Sequence, residues 1–202
     1  NNNTGFIEGG AFSVGQPAPA SMEEGYPIGY FYGYETDGIF QTQAEVDAHP
    51  SQIALGAEAS PGDIRYKDIN GDGKISELDQ VPIGYPDRPE IVYGFGFSVG
   101  YRGFDFSAFF QGLARESFWI NYGATAPFVG FVYDGEDTEG KIFQNSLLQA
   151  YADDHWSEDN QNLYALWPRL STSAAGNVNN SQRSTWMMRD GAFLRLKSVE
   201  LG

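Results

Sequence analysis

Residues Glu90 to Leu113 read EIVYGFGFSVGYRGFDFSAFFQGL, and the alternation in this stretch decides the fold class. From Ile91 to Tyr101 every odd position is large and apolar: Ile91, Tyr93, Phe95, Phe97, Val99, Tyr101. The even positions hold Gly94, Gly96, Ser98 and Gly100, with Val92 the exception. After Arg102-Gly103 the phase moves to even numbers, with Phe104, Phe106, Ala108 and Phe110 set against Asp105, Ser107 and Gln111. Period two, a tight glycine turn and period two again predict an antiparallel β-hairpin.

The two faces of this hairpin differ from those of a soluble sandwich, whose inner face favours Val, Leu and Ile and whose outer face carries charge. Here one face is aromatic and the other is glycine, serine and a few polar groups, over roughly ten residues per strand, the length of an outer-membrane β-strand. A buried hairpin of a soluble sheet is the plainer reading of the same pattern. Further strands are predicted at 26–34, where Tyr26, Ile28, Tyr30, Tyr32 and Tyr34 alternate with Pro27, Gly29, Phe31 and Gly33, and at 192–202. In the latter the alternation changes phase after Lys197, which predicts a bulge. Gln41 to Pro50 reads as a short helix stopped by Pro50.

Between these strands lie two long segments, 41–89 and 114–191, rich in turns. Loops of that length are uncommon in compact soluble domains. Outer-membrane barrels put short turns on the periplasmic side and long loops outside. The turn Tyr101-Arg102-Gly103-Phe104 is then periplasmic, and 41–89 and 114–191 are extracellular.

Composition narrows the partners. The 202 residues carry 27 acids against 12 Lys and Arg, a net charge of −15. That charge argues against nucleic-acid binding, which needs cations to displace counterions, and against docking on an anionic membrane surface. Without cysteine there is neither a disulfide framework nor a thiolate metal site. The opening NNNTGFIEGGAFSVG has no signal-peptide pattern. No window approaches the roughly 20 apolar residues of a membrane helix, which leaves β-strands open as a way across.

YKDINGDGKISELDQ (Tyr66 to Gln80) carries the clearest chemistry. With Asp68 at position 1, Asn70, Asp72, Lys74, Ser76 and Asp79 fall at 3, 5, 7, 9 and 12, and Gly73 at 6. That is the calcium-loop order, with the Lys74 carbonyl at 7, Ser76 acting directly or through water, and the shorter Asp79 in place of the usual closing Glu. The flanks read as strand and turn, so the loop is a structural clip that orders its segment. The plainer reading is an Asx-type turn held by its own hydrogen bonds.

Other candidates are weaker. His49 and His155 lie far apart without spaced ligands and read as surface or turn residues. ADDHWSEDN (Ala152 to Asn160) reads as a solvated acidic face. Trp156, Trp167 and Trp186 fit either packing or a sugar platform. No catalytic motif is present. The Asn-x-Ser/Thr triplets at Asn2 and Asn179 carry no weight.

Five segments, in one order, resemble the C-terminal part of the SusC/RagA-type TonB-dependent outer-membrane transporters of the Bacteroidetes. They are GYPIGYFYGYETDGIFQTQAEV (Gly25 to Val46), PGDIRYKDINGDGKISELDQVPIG (Pro61 to Gly84), YGFGFSVGYRGFDFSAFFQG (Tyr93 to Gly112), WPRLS (Trp167 to Ser171) and STWMMRDGAFLRLKSVELG (Ser184 to Gly202). Two departures stand out: Ser198 replaces the family's Asn after Arg-Leu-Lys, and Ser76-Glu77-Leu78 replaces a more acidic run. The resemblance implies an all-β fold, a partial transmembrane antiparallel β-barrel with long extracellular loops and one short helix, in the bacterial outer membrane. The family's plug and remaining barrel lie outside this chain. It further implies a nutrient importer, not an enzyme, that takes up glycan oligosaccharides or peptides. Its partners are a SusD-like lipoprotein, outer-membrane lipid and the TonB complex, which acts through regions outside this chain. The rival reading is a soluble secreted calcium-binding β-domain, a carbohydrate-binding or adhesion module. That rival explains the acidic loop but not the uncharged aromatic face.

Overall fold

The computed structural model describes residues 20–21, 25–27, 29–128, 130–133, 141–172 and 178–202. Ile28 of the predicted strand 26–34 and the Asn2 triplet lie outside the described residues. In chain order the elements are β1 (Ala20–Ser21), β2 (Tyr30–Tyr34), β3 (Thr36–Ile39), α1 (Gln43–Ala48), β4 (Ile64–Tyr66) and β5 (Gln80–Ile83). The long hairpin follows, β6 (Ile91–Tyr101) and β7 (Phe104–Ala114), then β8 (Ser117–Trp119), α2 (Tyr122–Thr125), β9 (Gly130–Tyr133) and β10 (Lys141–Gln144). The chain ends through α3 (Gln149–Asp153), β11 (Met188–Asp190) and β12 (Phe193–Leu201).

These elements gather into two compact units. The first comprises Asn1–Tyr32, Pro82–Trp119 and Met188–Gly202, and the second Gly33–Val81 and Ile120–Met187. The first is built on an antiparallel sheet ordered β12-β7-β6, with β11 paired to β8 beside it in sequence. Tyr101 pairs with Phe104 across a two-residue turn in which Arg102 and Gly103 both have positive φ, 48° and 88°. That is the primed turn whose twist matches flanking strands. The register of β12 on β7 shifts between Leu196 and Ser198, so the bulge predicted at Lys197 is present.

The second unit shows what the long segments are. Far from being chains of turns with one helix, they hold short strands, short helices and a core of their own. Tyr34, Ile64, Tyr66 and Ile75 form one buried cluster, and Ile39, Trp156 and Ala165 another. The predicted helix is α1: the Thr42 hydroxyl accepts the Glu45 N–H at 3.2 Å, and the Glu45 carboxylate accepts the Gln41 N–H at 2.7 Å. The first bond satisfies a donor that a helix start leaves open, and the second ties the Glu45 carboxylate to the residue before the cap. The predicted strand 26–34 is shorter, with β2 beginning at Tyr30. Both Phe31 and Tyr34 are buried while Tyr32 is exposed, so this strand packs on both sides rather than alternating cleanly.

Candidate functional site

In the β12-β7-β6 sheet, residues directly opposite one another share a face. Ile91, Tyr93, Phe95, Phe97, Val99 and Tyr101 pair with Ala114, Gly112, Phe110, Ala108, Phe106 and Phe104. Gly112, Phe110, Ala108 and Phe106 in turn pair with Leu194, Leu196, Val199 and Leu201. One face across three strands therefore bears no charged side chain. The bulge makes this possible: without it Ser198 and Glu200 would follow Leu194 and Leu196 onto the apolar side. Phe95 stacks on Phe110 at 5.1 Å, and Phe97 tilts against Phe106 at 5.9 Å. Cross-strand aromatic pairs of this kind stabilise a sheet by roughly 0.2–1 kcal/mol each.

The opposite face carries Ser98, Asp105, Ser107, Gln111, Arg195, Ser198 and Glu200. Phe109 and Phe193 are the aromatic exceptions, and the glycines of β6 explain Phe109. A Cβ on Gly96 would stand 2.9 Å from the Ala108 carbonyl and 3.1 Å from the Phe109 ring, and one on Gly94 would be 3.0 Å from the same ring. The ring lies across the two glycines, which have no side chain to displace it.

On the apolar face Phe97 is 50% and Leu201 78% exposed in the chain. A contiguous patch of this kind is not a feature of a soluble monomer surface. Eleven-residue strands, rising about 3.4 Å per residue, span an apolar band about 25 Å tall when tilted as barrel strands are.

In the second unit, motif segments far apart in sequence meet at one ion pair. Asp63 has no solvent exposure. Its Oδ1 accepts from Arg169 Nε at 2.5 Å and from Asn180 Nδ2 at 2.8 Å, and its Oδ2 accepts from Arg169 Nη2 at 3.2 Å and the Ser60 N–H at 2.9 Å. The Arg169 N–H donates to the Gly62 carbonyl at 2.9 Å, and the Ile64 N–H donates to Asn180 Oδ1 at 2.9 Å. A two-pronged guanidinium–carboxylate pair fixes orientation as well as charge. Pro-Gly-Asp-Ile-Arg-Tyr and Trp-Pro-Arg-Leu-Ser are thus two halves of one clamp. Sequence reading missed it, because nothing local marks a partner 106 residues away. Asn179, also buried, donates to the Ala57 and Glu58 carbonyls, and its own carbonyl accepts the Tyr66 hydroxyl. A side chain so engaged is not a glycan acceptor.

The Asp-rich loop closes on itself. The Asp68 carboxylate accepts the Gly71 N–H at 2.7 Å and the Gly73 N–H at 2.8 Å. Asn70 Oδ1 accepts the Asp72 N–H at 2.8 Å, and Asp72 Oδ1 the Lys74 N–H at 3.1 Å. Fully buried Asp79 accepts from the Ile69 and Asn70 N–H groups on one oxygen and the Ser76 N–H on the other. Ser76 Oγ accepts the Leu78 N–H, which completes a capping box on the 3₁₀ turn Glu77–Asp79. The Ser-x-x-Asp spacing was a legible signal for that box, and it gives Ser76 and Asp79 a structural task whether or not an ion binds.

The donors present suit a hard cation by type, since all are oxygens. Each bonded carboxylate oxygen still holds lone-pair capacity. Among the described residues, however, no three acidic or histidine side chains converge as a metal-holding group. A cation here would depend on Asn70, the Lys74 carbonyl and Ser76 as much as on the carboxylates.

Burial on its own would raise the Asp79 pKa; the Ser76, Asn70 and Ile69 N–H groups, with Asp68 beside it, outweigh burial and hold it below the ordinary value. A depressed carboxylate adds stability that is complete above the ordinary Asp range and lost as pH falls through the folded value. Protease cleavage within 68–79 is therefore expected to rise on acidification below about pH 4. Cleavage that does not change down to about pH 2 would show that Asp79 charge does not hold the loop.

The remaining candidates are packing residues. Trp167 stacks on Tyr151 at 4.2 Å and on Tyr122 at 5.7 Å, and Trp156 donates to Gln41 Oε1 at 3.2 Å. Both tryptophans are buried, so neither offers an open platform. His155 Nδ1 faces the Tyr151 and Ala152 carbonyls at the end of α3. In the acidic stretch, Asp154 accepts the Leu166 N–H at 3.2 Å, which ties the loop back on itself.

Strands of membrane-crossing length, apolar on one face and polar on the other, define the wall of a transmembrane β-barrel. No protein-family model matches the chain. It is 36% identical to TonB-dependent receptor P3 of Formosa agariphila over 181 residues, 90% of this chain and 15% of that receptor. It is 28% identical to TonB-dependent receptor P26 of the same organism over 184 residues, 88% of this chain and 16% of that one. The fold matches that of the RagAB peptide importer in its open-open state, with a TM-score of 0.54 and 18% identity over 99% of this chain and 18% of that one. The chain is thus similar to a segment of TonB-dependent receptors, and its fold is that of part of a transporter barrel. It spans about one sixth of the length of the receptors it matches.

Proposed function

We propose that this chain is part of a nutrient importer of the SusC kind from the Bacteroidetes, which takes up glycan oligosaccharides or peptides together with a SusD-like lipoprotein. The observation that carries the reading is the charge-free aromatic face of the β12-β7-β6 sheet, which suits outer-membrane lipid. In this reading the sheet is barrel wall and the turn at Arg102-Gly103 is periplasmic. The segments 41–89 and 114–191 stand outside the cell toward lid and substrate. The TonB complex acts through regions outside this chain.

The test is extraction of the native polypeptide. The importer reading expects a protein released from the outer membrane only by detergent, with a lipoprotein retained in equal amount, and loss of uptake of labelled oligosaccharide or peptide when its gene is deleted. A polypeptide soluble in buffer, with no lipoprotein, would overturn it in favour of a secreted carbohydrate-binding or adhesion module.

We also propose calcium as a structural ligand of the Asp-rich loop, through Asp68, Asn70, Asp72, the Lys74 carbonyl, Ser76 and Asp79. The support is the donor order, in which every candidate ligand is an oxygen. The detergent-purified receptor is expected to lose one bound calcium in the Asp68→Asn, Asp72→Asn double variant and to gain protease sensitivity between Gly56 and Gly84. Unchanged metal content in that variant would rule the site out.

A further inference from the structure

The Asp-rich loop contains two chemically labile junctions side by side. Asn70-Gly71 is the only Asn-Gly pair in the sequence, and Asp72-Gly73 follows it directly. In such pairs the glycine nitrogen attacks the Cγ of the residue before it, because no Cβ on the glycine hinders the approach. At Asn70 the new bond joins the Gly71 nitrogen to Cγ. The proton of that nitrogen passes through solvent to the carboxamide nitrogen, which leaves as ammonia. Water then opens the cyclic imide, at the side-chain carbonyl to give aspartate or at the main-chain carbonyl to give isoaspartate. At Asp72 the same ring forms with loss of water and reopens with its return, so only the linkage changes. An isoaspartate lengthens the main chain and shifts every donor after it relative to Asp68.

The loop cannot shed this liability by replacing its glycines. Gly71 and Gly73 have φ of +75° and +83°, although a Cβ at either would meet nothing within 4 Å. Backbone conformation, not space, requires glycine at both positions. Residues 70–74 are exposed, so water and base reach them.

One side chain restrains both reactions. The two attacking N–H groups are held by the two oxygens of the Asp68 carboxylate, Gly71 on Oδ1 at 2.7 Å and Gly73 on Oδ2 at 2.8 Å. Each nitrogen must give up its proton to react, and an amide anion forming beside a carboxylate is opposed by like charge. The side chains under attack are engaged as well, Asn70 Oδ1 by the Asp72 N–H and Asp72 Oδ1 by the Lys74 N–H. We infer that Asn70 and Asp72 are succinimide-forming modification sites and that Asp68 holds both closed in the folded loop. This protection needs neither bound calcium nor transport.

The test uses the native full-length polypeptide in detergent and a chelator, incubated in mildly alkaline buffer. The peptide 66–80 is followed by mass spectrometry for the amide-to-acid shift at Asn70, and by enzymatic methylation for isoaspartate. Folded wild type is expected to keep Asn70 as the amide while the urea-unfolded chain converts. Asp68→Ala is expected to convert at Asn70 at least about tenfold faster than folded wild type, the effect of losing a hydrogen bond to a charged group, and to gain isoaspartate at Asp72. Asp72→Ala also removes a loop carboxylate but leaves the Gly71–Asp68 bond, and is expected to convert at the wild-type rate. Wild-type conversion at the unfolded rate, no acceleration in Asp68→Ala, or equal acceleration in Asp72→Ala would each overturn the guard.

Discussion

Arg169→Ala is expected to destabilise the second unit by about 3–5 kcal/mol, the usual loss when one partner of a buried pair is removed. Asp63 has no solvent exposure, and without the guanidinium its charge would be left to Asn180 Nδ2 and the Ser60 N–H. The loss is expected to appear as faster amide exchange in 60–66 and 178–182, segments tied to the clamp by the Ile64–Asn180 and Tyr66–Asn179 bonds. Adding Asp63→Asn to Arg169→Ala should recover part of the loss, because an uncharged amide is less costly to leave unpaired. Exchange in Arg169→Ala indistinguishable from wild type would show that the clamp does not hold these segments. Salt should have little effect, since the carboxylate is buried.

Phe97→Arg is expected to be the most damaging single change in the sheet. Phe97 sits midway along β6 on the charge-free face, opposite Ala108. Arginine at the lipid midplane of a barrel strand costs about 2–4 kcal/mol, and the Phe97–Phe106 contact is lost as well. The expected result is a strong fall in receptor recovered from the outer membrane. Ser98→Arg, one residue away on the polar face, should leave that amount nearly unchanged. The paired design separates lipid exposure from general intolerance of charge in β6. Equal loss in both variants would argue that the two faces are not lipid and lumen.

The hairpin was legible because every piece of information it needs is local. Period two names the faces, Arg102-Gly103 names the turn, and the phase change after Lys197 names the bulge, all within a few residues of the atoms concerned. α1 was legible for the same reason: its cap, its first-turn acid and its stop at Pro50 are neighbours. The donor order of the Asp-rich loop was also on the page. The capping box joining Ser76 and Asp79 was readable from their spacing but was masked by the stronger calcium pattern.

What the sequence by itself determined is therefore a long hairpin, its two faces, its bulge and an acidic loop of calcium-binding order. Only the tertiary structure decided that the long segments condense into a unit with its own core. It also decided that Asp63 meets Arg169 and Asn180 there, and that Trp156 and Trp167 are filler and not platforms. The physical reason is range. Alternation, turns and caps are written in contacts between residues a few positions apart. The clamp closes over more than a hundred residues, and its pairing follows from burial, which no window of sequence displays.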